Sequence, residues 1–169
     1  MKKIAIFLLL AICSITSTRA QYGYIEPRND YIAAFDVKGQ NITWQREWCT
    51  TKPQNELYAE IAQRITITTI VDNLVIGRIE DAHFGAGTAF SDGRLPWDGS
   101  SIKANVIYEL TNVGYIVKVS NIMYLCTAIS KSYLSIYGII FNSKGDLRNR
   151  GDGDLRYFDN AFCDLLLIE

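Results

Sequence analysis

The strongest periodic signal in the chain runs from Ile65 to Ile76 (ITITTIVDNLVI), where apolar and hydroxyl side chains alternate and β-branched residues dominate. Alternation at period two, carried by side chains stiff at χ1, predicts a β-strand with a bend or bulge at Asp72-Asn73. The same reasoning predicts strands over 31–37 and 41–48, split by the short turn Lys38-Gly39-Gln40. It also predicts a hairpin of 102–110 and 114–125 joined through Thr111-Asn112-Val113, then a strand over 132–141. Residues 155–158 and 162–168 are expected to close the sheet. One helix is expected, over 55–64 (NELYAEIAQR), with Leu57, Tyr58 and Ile61 on its apolar side and Asn55 as a candidate cap. The alternative for that segment is a polar lead-in to the next strand. About eight strands, at most one short helix and no helical crossovers predict an all-β chain, a mainly antiparallel sandwich or barrel.

Alternation also sorts the side chains of NITWQREWC, residues 41–49. Ile42, Trp44, Arg46 and Trp48 share one face of the strand, and Asn41, Thr43, Gln45 and Glu47 share the other. Exposed, the two indoles would form a ligand platform. Buried, they would anchor a core, with the Arg46 stem packed or its guanidinium stacked on a ring, and burial is the expected state. Asn41, on the polar face and followed by Ile42-Thr43, is a glycosylation candidate.

Candidate chemistry is sparse. Residues 81–101 (DAHFGAGTAFSDGRLPWDGSS) carry four glycines and a proline, and read as a long connection of the kind that often carries function. It holds the single histidine, His83, but no Gly-x-Ser-x-Gly elbow accompanies it. The spacing of Glu80, Asp81 and His83 matches no metal-ligand pattern, and Gly85-Ala86-Gly87 lacks the later glycine and lysine of a phosphate-cradling loop. No catalytic, metal or cofactor residues are therefore predicted. A carboxylate pair formed only in three dimensions stays open.

Residues 142–160 (NSKGDLRNRGDGDLRYFDN) repeat Gly-Asp-Leu-Arg at 145–148 and 153–156, with Arg150-Gly151-Asp152 between. That tripeptide is either an integrin-type recognition loop or part of a polar hairpin loop in which Gly and Asp serve the turn. Calcium ligation by Asp146, Asp152 and Asp154 fails on spacing, since Arg156 falls where an oxygen ligand is required.

Composition places this domain. Residues 1–20 form a secretory signal peptide: Lys2 and Lys3, the apolar run IAIFLLLAIC, then Thr18 and Ala20 at the small positions before cleavage. Ten apolar residues fall short of the roughly 20 needed to span a bilayer, so stable membrane insertion is not expected. The mature chain, 21–169, is expected to be a single β-rich domain. Of 17 Lys+Arg and 18 Asp+Glu, the signal holds Lys2, Lys3 and Arg19, so the mature net charge is −4. That balance disfavours nucleic acid as a partner. In an oxidising compartment one disulfide is expected among Cys49, Cys126 and Cys163, in any of three pairings. The remaining thiol is either buried or forms a disulfide-linked dimer.

From Ile65 to Tyr124 the chain resembles the insect multiprotein-bridging-factor-two-like family of small secreted β proteins. The likeness rests on ITITTIVDNLVIG, the glycine-rich stretch Phe84-Gly85-Ala86-Gly87 and the strand pair VIYELTNVGYIVKVSNIMY. The chain is also similar to assassin-bug venom family-two proteins. These resemblances imply release from a venom or salivary gland and carry no catalytic residues over. The function expected is that of a secreted, non-enzymatic binding protein whose partner is an extracellular protein or glycan. The alternatives are a hydrolase with dispersed carboxylates and an integrin antagonist acting through Arg150, Gly151 and Asp152.

Overall fold

The computed structural model describes residues 34–83, 101–125, 132–149 and 151–168. The expected signal peptide lies outside them. Strand β1 (Phe35–Lys38) turns into β2 (Asn41–Cys49) through Gly39-Gln40, with Lys38 opposite Asn41. Gly39, at φ +60°, supplies the left-handed conformation that a two-residue hairpin turn requires. The Ile/Thr run is a second hairpin rather than one bent strand. Its arms β3 (Thr66–Val71) and β4 (Leu74–His83) fold back at Asp72-Asn73, with Asp72 at φ 53°. Asp is among the few side chains that tolerate that region. β5 (Ser101–Leu110) and β6 (Gly114–Leu125) make the third hairpin.

The strands line up in the order β1-β2-β6-β5-β4-β3, and all pairings are antiparallel. A two-residue β7 (Leu134–Ser135) pairs with β6 beyond the end of β2. The mainly antiparallel β class therefore holds, with seven strands among the described residues. Where β2 meets β6, Gly114 is required by close approach, because a Cβ there would lie 1.9 Å from the Trp48 carbonyl oxygen.

Helices supply the second layer. α1 (Gln54–Arg64) lies where a helix is expected, but Asn55 does not cap it: Pro53 holds the cap position without a side-chain bond. Half of the expected strand over 132–141 is instead α2 (Ile136–Ile140), whose first turn is capped by Ser135 Oγ, an acceptor from Tyr137 N at 3.3 Å. The strands expected over 155–158 and 162–168 are one long helix, α3 (Gly151–Leu166). Leu155, Phe158, Phe162 and Leu166 recur at steps of three, four and four, which builds one helical stripe, and all four are buried.

That stripe faces the side of the sheet carrying Trp44, Val106, Tyr108, Tyr115, Val117 and Val119, all fully buried. Burying side chains of this size contributes about 1.5–3 kcal/mol each relative to exposure. Trp44 meets Phe162 at 5.3 Å between ring centroids and Trp48 at 5.9 Å, while Trp48 stacks on Tyr115 at 5.6 Å. Trp44 is thus core and Trp48 core edge, as burial of the indoles predicts. Arg46, between them, is directed at α3: its Nε and Nη2 donate to Asp159 Oδ1 and Oδ2 at 3.1 and 2.6 Å. Trp44 Nε1 donates to the same Oδ1 at 2.7 Å. The far end of α3 is held by three more donors. Tyr108 hydroxyl donates to Leu166 O (3.0 Å) and Arg64 Nε to Leu167 O (3.1 Å), while Ile168 N donates to the Tyr115 hydroxyl (2.7 Å). Carbonyls left without partners by the end of a helix are satisfied in this way.

Candidate functional site on the open sheet face

The opposite face carries the alternate residues of the same strands, and it is irregular at one level. Ile79 pairs with Ala104 and Ala82 with Ile102, so Glu80 and Asp81 of β4 oppose Lys103 alone. On the other side of β5, Lys103 pairs with Met123 and Asn105 with Ser120, so Asn121 and Ile122 of β6 oppose Ala104 alone. Two β-bulges therefore flank the single dipeptide Lys103-Ala104. Each contains a non-glycine residue with positive φ, Asp81 at 62° and Asn121 at 50°. Asp and Asn are the side chains that adopt this region most readily after glycine, and bulges re-aim the side chains they carry.

Between and above the bulges lies an open cleft of about 620 Å³, lined by Arg78, Glu80, Asp81, Lys103, Asn105, Asn121, Met123 and Tyr133, with the core residues Ile79 and Ala104 beneath. Its polar groups hold one another in place. The Tyr133 hydroxyl donates to Asp81 Oδ1 at 2.5 Å, and Ser101 Oγ lies 2.8 Å from the Tyr133 oxygen. Lys103 Nζ sits 4.4 Å from the centre of the Tyr133 ring, a cation–π arrangement. Arg78 and Glu80 form an ion pair along β4. Asp81 is held below the usual carboxylate range, first by the Tyr133 hydroxyl, then by Ser101, with the charges of His83 and Lys103 adding to them.

His83 is exposed at the end of β4, directly opposite Ser101. Asp81, His83 and Ser101 therefore lie close together, with Asp81 alone of the three lining the cleft, and the distance of Ser101 along the chain concealed the grouping. Ser101 is itself buried, 3% exposed, and its hydroxyl is engaged by Tyr133. Among the described residues, no group of three or more His, Cys, Asp or Glu is arranged to hold a metal. The rest of the long connection, including Gly85 to Gly87, lies outside the described residues.

The other candidates fall elsewhere. Asn41 is exposed at the start of β2, on the polar side of that strand, an accessible position for a glycan. Cys49 is exposed and Cys163 half-buried, and both thiols are free. Strand parity puts Cys49 on the open face, whereas Cys163 belongs to α3 on the covered one, so the Cys49–Cys163 pairing is not formed. Burial, first of all, pushes the Cys163 thiol up to about 12. Cys126 lies outside the described residues. Gly151 and Asp152 are not on a hairpin loop: they open α3, with Gly151 buried and Asp152 exposed in the first turn. Arg150 lies outside the described residues. The polar segment before it folds through a Phe141–Leu147 bridge and an Asn142 side chain accepting from Lys144 N and Asp146 N.

Sequence reasoning did not single out Lys103, Asn105, Asn121 or Tyr133. A signal for the bulges was nevertheless present. Along β6 the buried positions step by two from Val117 to Val119 and then by three to Ile122; along β4 they step by two from Gly77 to Ile79 and by three to the half-buried Ala82. A step of three inside an alternating run marks one inserted residue. Among the described residues no helix is long and apolar enough to cross a membrane. No family model, no curated protein and no solved structure matches the chain.

Proposed function

We propose that this chain is a secreted, non-enzymatic binding protein whose ligand seat is the cleft between the two bulges. The setting implied by its resemblances is a venom or salivary secretion. The observation that carries the reading is the paired bulge itself: two bulge residues at positive φ, Asp81 and Asn121, border one cleft on a sheet whose other face is sealed by helices. A concave site of this volume on rigid strands, with polar groups fixed by neighbours, has the character of a preformed ligand pocket.

A hydrolase is the second reading, supported by the convergence of Asp81, His83 and Ser101. Burial of Ser101 and the engagement of its hydroxyl by Tyr133 weigh against a free nucleophile. One experiment separates the two: mature protein assayed against ester, amide and glycoside panels, beside Ser101→Ala and Asp81→Asn. Binding without turnover is the expected result. Turnover abolished by either substitution would replace the binding reading with the hydrolase.

A further inference from the structure

The proposed binding site also constrains its ligand, and the inference below rests on that reading. The side chains lining the cleft carry two cations, Arg78 and Lys103, and two carboxylates, Glu80 and Asp81. Each already has a partner inside the cleft: Arg78 pairs with Glu80, Lys103 lies over Tyr133, and Tyr133 donates to Asp81. A charged ligand would have to displace a built-in counter-charge from its partner, and an exposed pair so replaced yields little. Field lines of one sign, which concentrate ionic ligands, are lacking.

What remains available is hydrogen-bonding capacity of both kinds. The Asn105 and Asn121 amides each offer a carbonyl acceptor and an NH₂ donor. The carboxylates accept, and the ammonium and guanidinium donate. A hydroxyl group is the ligand function that donates and accepts at once, and adjacent hydroxyls can span neighbouring donors and acceptors. Met123 adds a small apolar surface suited to C–H groups. A volume of about 620 Å³ falls within the range of small-molecule sites.

We infer that the cleft between the bulges takes a neutral polyhydroxylated ligand, the chemistry of an uncharged oligosaccharide. This ligand seat is distinct from the Trp44–Trp48 pair, whose indoles are committed to the core.

The test is a ¹⁵N–¹H titration of the folded mature protein with chitotriose, maltotriose and mannotriose. Spermidine and a heparin-derived tetrasaccharide serve as cationic and anionic probes. At least one neutral trisaccharide is expected to shift Lys103, Asn105, Asn121 and Met123 saturably, with the charged probes failing to do so. Asn105→Ala, confirmed folded by an unchanged urea midpoint, is expected to weaken that binding about tenfold, the loss of a paired hydrogen bond. The same neutral glycans immobilised on a surface form a second arm, and the arm with the tighter binding names a free or a conjugated saccharide as the source. Saturation of the cleft by a charged probe alone would overturn the ligand class while leaving the binding reading intact. A cleft unmoved by every probe, free or immobilised, would remove both.

Discussion

Two aspartates on opposite faces of one sheet show how differently the same side chain is used. Asp159 reaches the covered face from α3; it is 0% exposed and takes three donors from β2, two from Arg46 and one from Trp44. Asp81 stands on the open face at a bulge, exposed, and is held by hydroxyls of Tyr133 and Ser101. The first carboxylate spends its bonding capacity inside the fold, joining residues 113 and 115 apart in sequence. The second keeps access to solvent while its neighbours fix its position. One face is therefore organised for stability, and the other is the face we propose for ligand contact. Substitution should separate them sharply.

The largest effect is expected at Asp159. Asp159→Ala leaves the Arg46 guanidinium, 26% exposed, without its carboxylate and the Trp44 indole without its acceptor. Breaking one side of a buried pair costs about 3–5 kcal/mol, read as a fall in the urea midpoint. A loss near that of a surface change would mean that α3 is not anchored through β2. The double substitution Asp159→Leu with Arg46→Leu should recover part of the loss, because no buried charge is then left alone.

A smaller effect follows at the other end of the helix. Tyr108→Phe removes the donor to Leu166 O and should cost about 1–2 kcal/mol, the price of one buried carbonyl left unmatched. Asn105→Ala on the open face, by contrast, should leave the midpoint within about 0.5 kcal/mol.

Alkaline pH sharpens the contrast through groups of the covered face alone. Burial foremost raises Tyr115 from 10.0 to about 12 and Cys163 from 9.0 to about 12. Both are favoured as neutral groups in the fold, so their contribution to stability is complete below pH 9. Between pH 9 and 12 the unfolded chain loses these protons while the folded chain retains them, and stability falls as pH rises. Urea midpoints at pH 8, 10 and 11 should decline in that order. In native protein at pH 8, iodoacetamide should label Cys163 far more slowly than in urea.

How much of this contrast was legible in the sequence differs from element to element. The face of β2 that carries Trp44 was readable from parity alone, because a strand's period is local. α1 was readable for the same reason. α3 was not, although its apolar stripe at 155, 158, 162 and 166 was in view, because Gly151 and Gly153 with their aspartates have the composition of a turn. The helix forms there because a sheet face of large side chains lacked a cover, which is a tertiary demand. Asp159 was hidden with it: no local rule pairs it with Arg46. The cleft was the least legible part, since its lining comes from three strands and from Tyr133. Only the broken alternation at Ala82 and Ile122 announced the bulges that align it.

The smallest change tests whether the open face is preorganised at all. Tyr133→Phe removes the hydroxyl that most lowers the pKa of Asp81, leaving Ser101 and the nearby charges in place. The Asp81 carboxyl should therefore move upward, toward its ordinary value, in a carboxyl-carbon NMR titration. A group depressed in the fold contributes stability above the carboxylate range and loses it as pH falls, so the variant should show a slightly flatter acid limb. The urea midpoint at pH 7 should hardly shift, because the carboxylate is exposed and solvated in both proteins. If the midpoint falls as far as in Tyr108→Phe while Asp81 titrates unchanged, Tyr133 belongs to the structural face. If Asp81 moves and the midpoint does not, Tyr133 positions the carboxylate for a ligand.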